Sequence, residues 1–128
     1  MIGALRIPLA SLAICLSALP GLSAELVMVE QAGCAYCARW NAEIGPIYPK
    51  TSEGAYAPLR RVDLRGDEIE TLTLERRVVF TPTFILVDDT DTELARLEGY
   101  PGEDFFWGLL EQMLQDKTGY TPAAANGG

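Results

Sequence analysis

The segment Cys34-Ala35-Tyr36-Cys37 constrains this chain more than any other. Two cysteines three residues apart follow an apolar run, Leu26 to Val29, and precede a helical pattern from Ala38 to Ile44. A strand that feeds a helix through Cys-x-x-Cys is the setting of a redox dithiol. At this spacing both sulfurs lie in the first helical turn and can close a small disulfide. The helix N-terminus lowers the pKa of the Cys34 thiol and makes it the nucleophile. The competing reading is half of a zinc site. Structural zinc takes four ligands, and this chain has no histidine and one further cysteine, Cys15. Cys15 lies in a segment expected to be removed, so the ligand count favours redox chemistry.

The N-terminus has the order of a secretory signal. Arg6 is the only charge before Glu25, Ile7 to Leu19 is apolar, Pro20 and Gly21 break the run, and small residues Ser23 and Ala24 follow. That is an n-region, an h-region and a cleavage region in sequence. The run is short for a membrane span. Residues 1–24 are therefore expected to be a signal peptide cleaved near Ala24, with export to the periplasm; the alternatives are a retained N-terminal anchor and a lipoprotein site at Cys15, against which the bulky Ile14 argues. The domain is expected over 25–118, and 119–128 as a flexible polar tail.

Without Arg6, nine basic residues face 18 acidic ones. Phosphate binding needs clustered Lys and Arg, so no nucleic-acid partner is expected. The exported chain keeps two cysteines placed side by side, whereas a stapled secreted scaffold uses more of them, farther apart. The disulfide is placed for exchange. No segment outside the domain is available for dimerisation, and a monomer is expected.

The pattern along the chain predicts β-α-β-α-β-β-α. Glu25 to Glu30 reads as a buried strand, and Cys34 or Ala35 to Ile44 as a helix stopped by Gly45-Pro46. Ile47 to Pro58 reads as irregular and Leu59 to Leu64 as the second strand. Asp67 to Arg77 is expected to be a helix, with Ile69, Leu72 and Leu74 as its apolar positions. Thr83 to Val87 and Glu93 to Leu97 read as a hairpin about a polar turn. Glu103 to Gln115 is an amphipathic helix with Phe106, Leu109, Leu110 and Met113 at helical spacing. Strands alternating with helices imply parallel pairing first, and the closing hairpin makes the four-stranded sheet mixed.

In the exchange these residues imply, the Cys34 thiolate attacks a partner disulfide and Cys37, one turn further in, resolves the mixed disulfide. Thr81-Pro82 precedes the third strand. A proline is tolerated there on structural grounds. Read beside an upstream Cys-x-x-Cys, it is expected in cis, with the Thr81 backbone beside the disulfide. Tyr36 is exposed by the geometry of the motif and is a partner contact. Glu30, four residues before Cys34, is a candidate for proton transfer at Cys37, or else a solvated strand-end carboxylate. Arg39 either favours the thiolate or is an ordinary helix-surface residue, and Trp40 reads as core. Asp88, Asp89, Asp91 and Glu93 lack the glycine and distal glutamate of a calcium loop and read as a turn.

Taken together, the strand, Cys-x-x-Cys, Thr-Pro before a strand and the final helix resemble the thioredoxin superfamily over nearly all of Glu25 to Gln115. The fold this implies is the minimal, glutaredoxin-type α/β plan. Cys-Ala-Tyr-Cys resembles the glutaredoxin motif and the Cys-Gly-Tyr-Cys of periplasmic disulfide isomerases. The longer run from Val27 to Tyr48 resembles the small periplasmic proteins of bacterial sulfur-oxidation systems, the SoxS type. That resemblance implies an exported thiol–disulfide oxidoreductase with Cys34 as nucleophile, Cys37 as resolver and Pro82 in cis. It works without a cofactor other than its own Cys34–Cys37 disulfide. The substrates implied are protein disulfides or thiols, such as a thiol-bearing carrier of sulfur oxidation. Electrons are then supplied by a membrane thiol-reducing donor.

Gly99 to Asp104 resembles the glutaredoxin loop where glutathione docks at a helix start, which makes Gly99, Gly102, Glu103 and Asp104 a candidate glutathione site. The alternative is that Glu103 and Asp104 complement the helix dipole. The chain departs from its relatives at Gly33, where thioredoxin has Trp, and at Met28, where it has a buried acid. Ala35 stands where glutaredoxin has Pro. These departures leave the direction of electron flow open. A disulfide isomerase or glutathione-linked reductase, and a Cu(I)-binding module of another class altogether, stand as alternatives.

Overall fold

The computed structural model describes residues 23–122, with 2–4, 8, 10, 13 and 14. Most of the expected signal segment, including Cys15, and the last six residues lie outside the described residues. Among the described residues no helix is long and apolar enough to cross a membrane.

The sheet has the order β2-β1-β3-β4. β1 (Glu25–Glu30) runs parallel to β2 (Leu59–Asp63) and antiparallel to β3 (Thr83–Val87), which pairs antiparallel with β4 (Glu93–Glu98). This is the mixed four-stranded architecture the sequence predicts. β1 and β3 are central, and their near-continuous apolar runs are what a strand covered on both faces requires. The pleat sends alternate residues to opposite faces. Leu26, Met28, Phe84 and Leu86 enter one core, and Val27, Val29, Ile85 and Val87 the other.

The first core is covered by α1 (Ala35–Glu43) and α3 (Glu103–Thr118). Trp40 is fully buried there, against Tyr48, Phe84 and Phe106 at ring-centroid distances of 6.1, 5.2 and 5.7 Å. The stretch expected to be irregular holds a single 3-10 turn, Tyr48–Lys50, and a short helix, α2 (Ser52–Tyr56). Thr51 caps α2 by accepting the Gly54 N–H at 3.0 Å. Gly54 is required at that place, since a Cβ would stand 1.8 Å from the Tyr48 carbonyl oxygen.

Two expectations are corrected. The helix predicted over Asp67 to Arg77 is only a 3-10 turn, Glu68–Thr71, followed by extended chain. Tertiary partners take the backbone groups that a helix would have used. Thr73 bridges to the hairpin, with its N–H on the Asp91 carbonyl and its carbonyl accepting from the Glu93 N–H, both at 2.9 Å. The Glu75 N–H donates to Glu93 Oε1, and the carbonyls of Arg76 and Arg77 accept from the Arg96 guanidinium. Leu72 and Val78 thereby fold onto the second core. The tail, expected to fray from Gly119, is held through Tyr120. α3 runs three residues past the predicted end at Gln115. Gly119 then turns the chain with φ 75°, and Tyr120 is buried against Tyr56.

Candidate active site

The C-terminal end of β1 and the N-terminal end of β3 lie at one end of the sheet, where Val29 pairs with Thr83. Beyond β1 the chain makes a turn in which Cys34 N–H donates to the Gln31 carbonyl at 3.3 Å. Gly33 occupies the left-handed region there, φ 78°, which a residue with a Cβ resists. The turn delivers Cys34 as the N-cap of α1. Its Sγ accepts the Cys37 N–H at 3.1 Å, so an unpaired backbone donor of the helix start points at the sulfur. No acidic residue stands in the first turn of α1 to oppose a thiolate.

Cys34 and Cys37 form a disulfide, with Cα atoms 5.2 Å apart. The two sulfurs are unequally placed. Cys34 is partly exposed, whereas Cys37 is 4% exposed and belongs to the first core. An outer thiol that meets a partner and an inner one that waits behind it is the arrangement two-step exchange needs.

The Thr81–Pro82 peptide is cis. Gln31 Nε2 donates to Thr81 Oγ1 at 2.9 Å, tying the loop before Cys34 to the cis-proline loop. Pro82 in turn accepts the Gly99 N–H at 2.7 Å, which fixes the loop from Gly99 to Gly102 beside it. Gly102 caps α3, and Glu103 and Asp104 occupy its exposed first turn. Tyr36 is 58% exposed, as the motif geometry requires, and Val79, Phe80 and Phe105 are exposed apolar residues that sequence reasoning passed over.

Glu30, Gln31, Gly33, Cys34, Ala35, Cys37, Ala38 and Asn41 line one shallow cavity of about 330 Å³. Glu30 is therefore brought to the cysteines, but it is not a simple solvated carboxylate. It accepts from Arg61 Nη1 at 2.5 Å, and the Arg61 guanidinium packs over the Trp40 ring. Arg61 and Asn41 are further residues the sequence did not reveal. Arg39 is committed elsewhere. It donates to Glu43 at 2.7 Å, and this hydrogen bond, reinforced by the Glu43 charge, raises its pKa. Glu43 also accepts from the Tyr100 hydroxyl, the first cause of its lowered pKa, with Arg39 second.

Among the described residues no group of three or more metal-ligating side chains is assembled. The acidic run at Asp88 is a turn, in which Asp88 Oδ1 accepts from the N–H groups of Thr90 and Thr92.

A thioredoxin-like family model matches residues 23–114. The chain belongs to the thioredoxin-like family. It is similar to the reduced form of the periplasmic thioredoxin SoxS from Paracoccus pantotrophus, at 54% identity. That match has a TM-score of 0.67 and covers 71% of this chain and 95% of the other. Two more distant structures share the fold alone, both with a TM-score of 0.50. Thioredoxin-2 of a malaria parasite is 19% identical over 71% of this chain and 84% of its own. A thioredoxin of Malassezia sympodialis is 17% identical over 73% and 76%. No curated protein matches by sequence. The thioredoxin-like domain and its Cys34–Cys37 pair make this protein a thiol–disulfide oxidoreductase whose working group is its own disulfide. The SoxS resemblance read from the run at Val27 to Tyr48 is met by the identity to SoxS.

Proposed function

We propose that this thioredoxin-like protein is exported and reduces a disulfide or mixed disulfide on a partner protein. The observation that carries the reading is the unequal burial of the two sulfurs at the start of α1. Cys34 attacks first, its thiolate held by the helix N-terminus. Cys37 then attacks the mixed disulfide and frees the partner. Glu30, on the cavity wall, takes the proton of Cys37, with Arg61 holding its carboxylate in place. The Thr81–Pro82 main chain and Tyr36 meet the partner. The likeness to a periplasmic thioredoxin supports export, and in this reading the domain is cleaved near Ala24 and works as a monomer. In this reading the partner is the thiol-bearing carrier of a sulfur-oxidation system, and a membrane thiol-reducing donor restores the dithiol.

A glutathione-linked or isomerase activity has less support. Glu103 and Asp104 already face the N-terminus of α3, and their charge repels the carboxylates of glutathione. A Cu(I) module leaves the cis-proline loop without a use.

Turnover of insulin disulfides tests the reading. Cys34→Ser abolishes it, and Cys37→Ser accumulates mixed disulfides visible by mass. Normal turnover by Cys34→Ser overturns the assignment. Equilibration with glutathione buffers decides the direction of flow. A potential near about −270 mV marks a reductant, and one near about −120 mV an oxidant.

A further inference from the structure

Three buried polar side-chain atoms among the described residues lack a hydrogen-bond partner: Trp40 Nε1, Asn41 Oδ1 and Arg60 Nε. Of these residues, Asn41 alone lines the cavity that holds both cysteines. It stands four residues after Cys37 on α1, which puts the two side chains on one helix face. A buried acceptor left unmatched costs its full desolvation penalty and calls for an explanation. The disulfide supplies one. A sulfur in an S–S bond has no hydrogen to donate, whereas a thiol does.

We propose that Asn41 Oδ1 is the acceptor for the Cys37 thiol, so that its partner exists only after the disulfide opens. This rests on the dithiol chemistry proposed above. Reduction begins when a thiolate of a dithiol donor attacks Cys34 Sγ. The Cys34–Cys37 bond breaks, its electron pair stays on Cys37, and Cys37 takes a proton from solvent by way of Glu30, on the same cavity wall, to become S–H. That S–H donates to Asn41 Oδ1. The donor's second thiolate then attacks the donor sulfur of the mixed disulfide and releases Cys34. The donor leaves as a disulfide, two electrons poorer. Asn41 thus acts as a positioning residue. It orients the Cys37 thiol and biases the pair toward the reduced state, because its oxygen is unmatched in one redox state and matched in the other.

The test is the equilibrium constant of the Cys34–Cys37 pair with glutathione, read beside urea unfolding of both redox forms. Asn41→Leu replaces the amide with an apolar group of similar size. It is expected to shift the constant about fivefold toward the disulfide. At 29.6 mV per tenfold, that is a potential about 20 mV more negative. The variant should raise the urea midpoint of the oxidised protein and leave that of the reduced protein the same or lower. Asn41→Ala removes the same oxygen without a branched side chain and should shift the constant in the same direction if the leucine is not accommodated. An unchanged constant, or equal changes in the stability of both forms, overturns the proposal and makes Asn41 a packing residue. Neither reading requires a partner protein. Failure here therefore leaves the insulin assay intact, and a failed insulin assay leaves this measurement standing.

Discussion

Trp40 and Tyr36 flank Cys37 on the same helix, yet they serve different ends. Trp40 has no exposed surface and meets three aromatic rings on the first core. Trp40→Ala is expected to cost about 3–5 kcal/mol, much of the ~5–15 kcal/mol by which a domain of this size is stable. Urea unfolding of the oxidised protein measures it. Tyr36 is 58% exposed. Tyr36→Ala should leave stability within about 0.5 kcal/mol and raise KM for a protein disulfide several-fold. Reduction of a small aromatic disulfide at an unchanged rate is the control. An equal KM for the protein substrate removes Tyr36 from the partner surface. Both environments were legible in the sequence, since each follows from a position on one helix relative to the cysteines. The partners of Glu30 and Gln31 were not. Arg61 reaches Glu30 from 31 residues away and Thr81 meets Gln31 across 50, so only the pairing of strands brings them together.

Elements declared by continuous apolar runs lie where the sequence predicts them, with small boundary shifts, while the segment from Asp67 to Arg77 is not the helix its spacing predicts. Its spacing of Ile69, Leu72 and Leu74 fits a helix, but the pattern does not record what the hairpin does to the backbone. Arg96 and Glu93 form an ion pair whose side chains are 4% and 2% exposed. The same two groups hold the Glu75 N–H and the carbonyls of Arg76 and Arg77. This pair replaces helical hydrogen bonds as the fastening of the segment that leads to Thr81–Pro82. Arg96→Ala strands a buried carboxylate and is expected to cost about 3–5 kcal/mol. Amide exchange should accelerate first at Leu72 to Val78, before the central strands open. Uniform acceleration across the sheet would show that the pair stabilises the whole domain rather than this segment.

At the scale of the molecule, the excess of acid sets how the protein responds to pH. The chain carries 18 acidic residues and a net charge of −8. Three carboxylates have pKa values lowered by folding. For Glu43 the cause is the Tyr100 hydroxyl and then Arg39; for Asp88 it is the Thr90 hydroxyl and then the N–H groups of Thr92 and Thr90. For Glu93, burial pushes upward most strongly, but the hydrogen bonds and charge of Arg96 with the Glu75 N–H outweigh it. A lowered pKa in the folded state means that the unfolded chain binds the proton first as pH falls. The stability these groups contribute is fully present above the ordinary carboxylate value, 4.5 for glutamate. It is lost as pH drops through the lower folded values. Over pH 6 to 8 none of the three changes charge, so these carboxylates contribute no slope to the urea midpoint there, and they steepen its fall below about pH 4.5. Glu93→Gln should be less stable at neutral pH, because Arg96 loses the nearer of its two charge partners, Glu93 and Glu98. It should also show a shallower acid limb, because one fewer proton is taken up on unfolding. An acid limb as steep as that of the wild type would place the acid sensitivity in Glu43 and Asp88 instead.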